Sequence, residues 1–245
     1  PTALHDYHPS IRWRLIHTPP APGSWNMAVD EVLMESVRNG SSPILRFYDW
    51  EQSCLSIGYF QTFAQVNAAK CKQQSIEVVR RLTGGNALLH KDCLTYSVIL
   101  PKQSALVRGG VVQSFHRLTR PFSMALNDLG IPINSAPESG TAISSFDCLA
   151  TLNPSEISLG ARKIFGSAQT RRRGVVLQHG SLILGRPTDI SELTTPRVAG
   201  PLKGPTVLDF LPDGTSGLHE IITSHCSSVW SARFDVEVLS TSEKH

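Results

Sequence analysis

The stretch 145–184, SFDCLATLNPSEISLGARKIFGSAQTRRRGVVLQHGSLIL, constrains this chain more than any other. It carries one thiol, Cys148, then Lys163 fifteen residues later, then a Gly166-Ser167-Ala168-Gln169 segment that reads as a turn beside the lysine. It closes in a strand-like run interrupted by His179-Gly180. A thiol attacks as its thiolate, and a neighbouring ammonium favours that form. The spacing permits Cys148 and Lys163 to meet without placing them together. Taken alone, Cys148 also reads as a small buried hydrophobe and Lys163 as an exposed hairpin lysine.

A second stretch, RRLTGGNALLH (80–90), is chemically suggestive. Gly84-Gly85 permits positive φ and close approach of a ligand to the backbone. Successive N–H groups in such a turn form an anion-binding nest, with Arg80 and Arg81 beside it. An ordinary hairpin is the plainer reading, and the Walker pattern is absent. His90 and His179 read either as core histidines satisfied by backbone groups or as members of a ligand pocket.

The surrounding pattern alternates short strands with three longer helices. Residues 11–16 alternate as a strand that TPPAPG breaks. Asn26 reads as the N-cap of a helix through 39, with Asp30 and Glu31 in its first turn and Val29, Leu33 and Val37 on one face. Strands follow at 44–48 and 55–57, a weak helix at 64–74, and strands at 77–79 and 95–100. Residues 111–129 place Phe115, Leu118, Phe122, Leu126 and Leu129 on one face, with Pro121 expected to kink or restart the helix. A loop is expected at 135–145, a surface wrap at 188–214, a helix at 218–230 and a strand at 234–239. No repeat or composition break marks a second unit, so residues 1–245 read as one domain.

Composition narrows the function classes. A formal charge of +3 over 245 residues is too small for a nucleic-acid-binding stripe, yet suits an acidic protein partner. Five scattered cysteines without a CxxC pair argue against zinc and against a disulfide framework, and favour a reducing cytoplasm. No apolar run reaches membrane-spanning length, and PTALHDYHPSIRWR lacks a secretory h-region.

The motifs RRLTGGNALLH, LTYSVIL and GARKIFGSAQTRRRGVVLQHGSLIL, preceded by NMAVDEVL and LRFYDWEQSCLSIGYFQ, occur in the order of a known family. The chain resembles the lipoate/biotin protein ligase catalytic family over residues 12–184, and most closely its cysteine-dependent octanoyltransferase branch. That resemblance implies an α+β fold: a mixed, largely antiparallel sheet flanked by helices. It implies an acyl-thioester on Cys148, with Lys163 favouring the thiolate. It also implies an apolar tunnel bordered by the Arg80-Arg81…Gly84-Gly85 loop and the His179-Gly180 strand. The N–H groups of Gly166, Ser167 and Ala168 are candidates for holding tetrahedral charge.

The implied reaction takes octanoyl from acyl carrier protein to a lysine of a lipoyl domain or glycine cleavage H protein, with no cofactor. Arg171, Arg172 and Arg173 are candidates for meeting acidic carriers. Two departures stand out: Asn86 follows the glycine pair, and Cys93 replaces an acidic residue before LTYS. The main rival is an ATP-dependent lipoate ligase, which would use ATP and magnesium and no nucleophilic thiol. A biotin ligase lacks its Gly-Arg-Gly-Arg-like loop here, and an inactive carrier-binding scaffold is the reading from outside enzymology.

Overall fold

The computed structural model describes residues 11–135, 148–149, 157–186, 188–195 and 204–244. In chain order these form β1 (Ile11–Ala21), α1 (Gly23–Arg38), β2 (Ile44–Trp50), β3 (Cys54–Ile57), α2 (Ala68–Gln73), β4 (Glu77–Arg80), β5 (Leu88–His90), β6 (Cys93–Pro101), α3 (Val111–Asp128), β7 (Ile133–Ser135), β8 (Ile157–Leu159), β9 (Arg162–Lys163), β10 (Phe165–Arg172), β11 (Val175–Ile183), α4 (Leu218–Trp230), β12 (Ala232–Glu237) and α5 (Thr241–Lys244). The main sheet runs β10-β11-β6-β2-β1-β12. Its first three pairings are antiparallel and its last two parallel, so the sheet is mixed. Two small sheets, β4-β3-β5 and β7-β8-β9, flank it.

Strand alternation sends side chains to two cores. Leu15, Leu45, Tyr96 and Val98 face α3 and α4, where Leu118, Phe122, Leu126 and Trp230 bury their apolar stripe. Ile16, Ile44, Ile99 and Leu177 face α1 through Val29, Leu33 and Val37. Each such side chain contributes about 1.5–3 kcal/mol by leaving water.

Several local expectations change. β1 continues through Thr18 and the two prolines, because a register shift between Thr18 and Ala21 spares β2 the missing donors. α1 starts at Gly23 rather than after Asn26, and no acidic residue lies in its first turn. Glu77 caps it from outside, accepting from the Gly23 and Ser24 N–H groups at 2.6 and 2.9 Å. Only residues 68–73 of the weak 64–74 pattern form α-helix, with Asn67 as the cap; 63–65 is a separate 3₁₀ turn. α3 runs through Pro121 as one helix. Pro121 leaves the Arg117 carbonyl without its intrahelical donor, and Trp230 Nε1 donates to it at 3.1 Å.

The Gly166-Ser167-Ala168-Gln169 segment is strand, not turn: β10 pairs with β11 from Phe165↔Leu182 to Arg172↔Val175. The turn lies at Arg173 and Gly174, both with positive φ. Most of the expected 135–145 loop and part of the 188–214 wrap lie outside the described residues. Among the described residues, no helix is long and apolar enough to cross a membrane.

Candidate active site

The β8–β9 hairpin carries Lys163 to the start of β10, where the residue is only 2% exposed. Its Nζ donates to the Cys148 carbonyl at 3.0 Å and stands 3.4 Å from Cys148 Sγ. The Cys148 N–H bonds the Ala87 carbonyl at 2.8 Å, which clips this segment to the loop leading into β5. Gly166 lies beneath the sulfur. A Cβ there would stand 3.2 Å from Sγ and 3.7 Å from Lys163 Cε, closer than most carbon contacts to the sulfur. Gly180 is needed for a related reason, since its Cβ would press on the Gly166 carbonyl and Ser167.

Cys148 borders a narrow cavity that opens to the surface. The sequence candidates Arg81, Gly85, His90, Gly166, Ser167, Ala168, His179 and Gly180 line it. Arg80 and Gly84 do not. The Arg80 guanidinium is occupied by the carbonyls of Gly58, Tyr59 and Gln61. Gly84 instead offers its carbonyl to Arg81 Nη2 at 3.0 Å. The turn therefore directs the Gly84 and Asn86 carbonyls toward Arg81, while Gly85 takes φ +84° to make it.

Polar atoms around the cavity satisfy one another. Trp50 Nε1 donates to Thr95 Oγ1 at 2.9 Å, and the Thr95 and Ser181 hydroxyls are 3.0 Å apart. His90 bridges Ser181 at 3.1 Å and Ser56 at 2.7 Å, and Arg81 donates to Ser56 at 2.7 Å. Trp50 stacks on the His90 ring at 4.0 Å. Burial, with the positive charge of Arg81 nearby, drives the His90 pKa well below its ordinary value and keeps it neutral. Burial also pushes the Cys93 thiol up to about 11, so that departure is no second nucleophile. With these groups paired internally, Met27, Tyr48, Trp50, Leu88 and Ala168 present hydrocarbon to a guest.

The opposite wall rests on a buried network that the sequence reading missed. Arg46 Nη1 donates to Asp30 Oδ1 at 2.8 Å, and the other Asp30 oxygen accepts from His179 Nδ1 at 3.0 Å. Burial opposes ionisation of Asp30, but the His179 hydrogen bond and the Arg46 charge outweigh it and hold the carboxyl below its usual pKa. His179 Nε2 then accepts from Thr83 at 2.7 Å, which fixes the ring at the cavity wall. The one available signal was an arginine set within the otherwise apolar run ILRFY. No cluster of metal-ligating side chains occurs among the described residues.

A mixed sheet that walls an apolar cavity, with a thiol and a lysine brought together at the cavity's edge, defines the class. Residues 22–195 match the lipoyl protein ligase A/B catalytic domain, and the chain belongs to that family. Octanoyltransferase LipM of Moorella thermoacetica is 41% identical over 184 residues, covering 72% of this chain and 66% of that protein. LipM of Staphylococcus aureus is 36% identical over 190 residues, covering 74% and 68%. The chain's match thus spans about two-thirds of these curated relatives. The fold is shared with lipoate-protein ligase A bound with ATP: TM-score 0.75, 24% identity, 96% of this chain and 91% of that one. It is shared also with a bi-partite lipoate protein ligase from Thermoplasma acidophilum: TM-score 0.74, 22% identity, 96% and 89%.

Proposed function

We propose that this chain is an octanoyltransferase of protein lipoylation, working through a thioester on Cys148. The observation that carries the reading is the Sγ–Nζ separation of 3.4 Å at the edge of a cavity whose polar groups are already paired. LipM relatives at 36–41% identity support it.

The Cys148 thiolate attacks the carbonyl of octanoyl-acyl carrier protein. The carbon–sulfur bond to the carrier breaks, and the carrier thiolate leaves and takes up a proton. A lysine amine of a lipoyl domain or glycine cleavage H protein then attacks the Cys148 thioester. An amide forms, one proton is released, and the thiolate returns. Both steps run on the thioester's own activation, so neither ATP nor a metal is needed. The Lys163 ammonium stabilises the sulfur anion before attack and after departure, and lies close enough to help hold charge on the tetrahedral oxygen. At about 0.8 kcal/mol per buried methylene, sheathing the chain in the cavity contributes about 5 kcal/mol.

The test is intact-mass spectrometry after incubation with octanoyl-acyl carrier protein and no ATP. An octanoyl adduct that hydroxylamine removes and that Cys148→Ala lacks is expected. Absence of the adduct, together with attachment of free lipoate to a lipoyl domain when ATP is supplied, would instead establish the ligase reaction.

A further inference from the structure

Every exposed aromatic side chain among the described residues lies on one loop: Tyr59 at 42%, Phe60 at 88% and Phe63 at 50% exposure. Single exposed apolar residues are normal on a protein surface. Three aromatics on a loop built to hold them out are not explained that way. Arg80, unused in the cavity, braces this loop with 3.1, 3.0 and 2.6 Å bonds to the carbonyls of Gly58, Tyr59 and Gln61. The Tyr59 N–H is bonded to the Thr83 carbonyl at 2.8 Å, which ties the loop to the turn that carries Gly84 and Gly85.

The loop also sits at the cavity's edge. Gly58 packs directly on the Gly85 carbonyl, and Gly85 lines the cavity. The Phe60 ring reaches within 3.9 Å of where a Gly84 Cβ would stand. On the other side, the Arg172 guanidinium lies 4.3 Å over the Tyr59 ring. Arg172 ends β10, the same strand that brings Gly166, Ser167 and Ala168 to the cavity. The aromatic loop and the hairpin tip thus join across the two walls.

We infer that the surface formed by Tyr59, Phe60, Phe63 and Arg172 is where the lysine-bearing acceptor domain docks during the second half of the transfer, an inference that rests on the proposed function. Reach selects the acceptor over the donor. A lysine carries its nitrogen only a four-carbon stem beyond its backbone. The acceptor's own surface must therefore lie against the cavity rim for the amine to touch a thioester on Cys148. An acyl carrier delivers its thioester on a long flexible arm and can stand further away. Charge selects the kind of surface. Arg172 has no carboxylate partner among the described residues, Arg173 beside it is exposed, and Glu35 close by is held by Arg38. The fitting partner is a folded domain whose target lysine sits on an exposed turn with an apolar contact and carboxylates beside it. Phe60 supplies the apolar anchor, and Arg172 a charge partly shielded by Tyr59.

The experiment titrates a ¹⁵N-labelled, unmodified lipoyl domain with the full chain and follows its amide shifts. In parallel, octanoyl loading of Cys148 from octanoyl-coenzyme A is read by intact mass. Phe60→Ala and Arg172→Ala are each expected to weaken the lipoyl-domain complex about tenfold. Loading is expected to match the parent chain, because neither side chain lines the cavity. The Arg172→Ala complex should also lose part of its salt dependence. Variants that bind like the parent, or a parent that does not bind the domain, overturn the docking surface. A parent that binds the domain yet takes no octanoyl overturns the transfer chemistry and leaves the docking result standing.

Discussion

Replacing Arg46 with methionine tests the network behind the cavity wall. Arg46 is fully buried, and its guanidinium reaches Asp30 Oδ1 at 2.8 Å, Asn26 Oδ1 at 2.7 Å and Thr18 Oγ1 at 3.0 Å while lying 4.0 Å over the Tyr48 ring. Methionine fills much of the volume but carries no charge. The Asp30 carboxylate would then keep only Ser97 at 2.9 Å and His179. Breaking a buried pair from one side costs about 3–5 kcal/mol, which corresponds to a fall in Tm of about 10 °C for a chain this long. The pH dependence has a definite sign. Asp30 is held below its ordinary pKa, so its contribution is complete above about pH 4 and fades as pH falls through the folded value. Without Arg46 the carboxyl protonates at higher pH, and protonation removes the uncompensated charge. The difference between parent and variant should therefore narrow from pH 7.5 to pH 5. Urea unfolding at both pH values measures it. A loss below about 1 kcal/mol at pH 7.5, or one that widens toward pH 5, refutes the reasoning.

Three further outcomes follow from other parts of the chain. Trp230→Phe keeps the stacked ring but leaves the Arg117 carbonyl without a donor, costing about 1–3 kcal/mol in urea unfolding. Pro121→Ala restores an N–H at that carbonyl, so Trp230→Phe should cost measurably less in its presence; equal costs would remove the proposed pairing. Gly166→Ala pushes a methyl to 3.2 Å from Cys148 Sγ, and should slow octanoyl loading about tenfold while Tm stays nearly unchanged. Loading at the parent rate would show that the sulfur reacts from elsewhere. His90 is buried and held neutral, so the unfolded chain binds a proton that the folded chain refuses. That single residue should remove up to about 1.4 kcal/mol per pH unit below pH 6.5, a slope absent in a folded His90→Gln variant.

The sequence was most legible where local pattern and tertiary packing agree. α4 occupies the span 218–230 expected of it, and the family motifs converge on one cavity in the order they were read. It was least legible where distant segments override local preference. Gly166, Ser167, Ala168 and Gln169 have turn-forming composition, but a residue-by-residue ladder with β11 holds them as strand. Pro121 should disturb a helix, but a tryptophan from α4 supplies the lost donor. Arg80 resembled an anion ligand because it adjoins a glycine pair, and only the fold shows that backbone carbonyls occupy it. The Asp30–Arg46–His179 network joins α1, β2 and β11, and no local window contains more than one of its members.

The central claim is that the sulfur of Cys148 carries the chain between two proteins. Octanoyl-loaded protein, freed of donor by gel filtration, is mixed with an unmodified lipoyl domain in the absence of ATP. Both species are then weighed over time. The account predicts that octanoyl mass leaves Cys148 and appears on the acceptor lysine at the same rate. A loaded chain that keeps its adduct while the acceptor stays unmodified contradicts it.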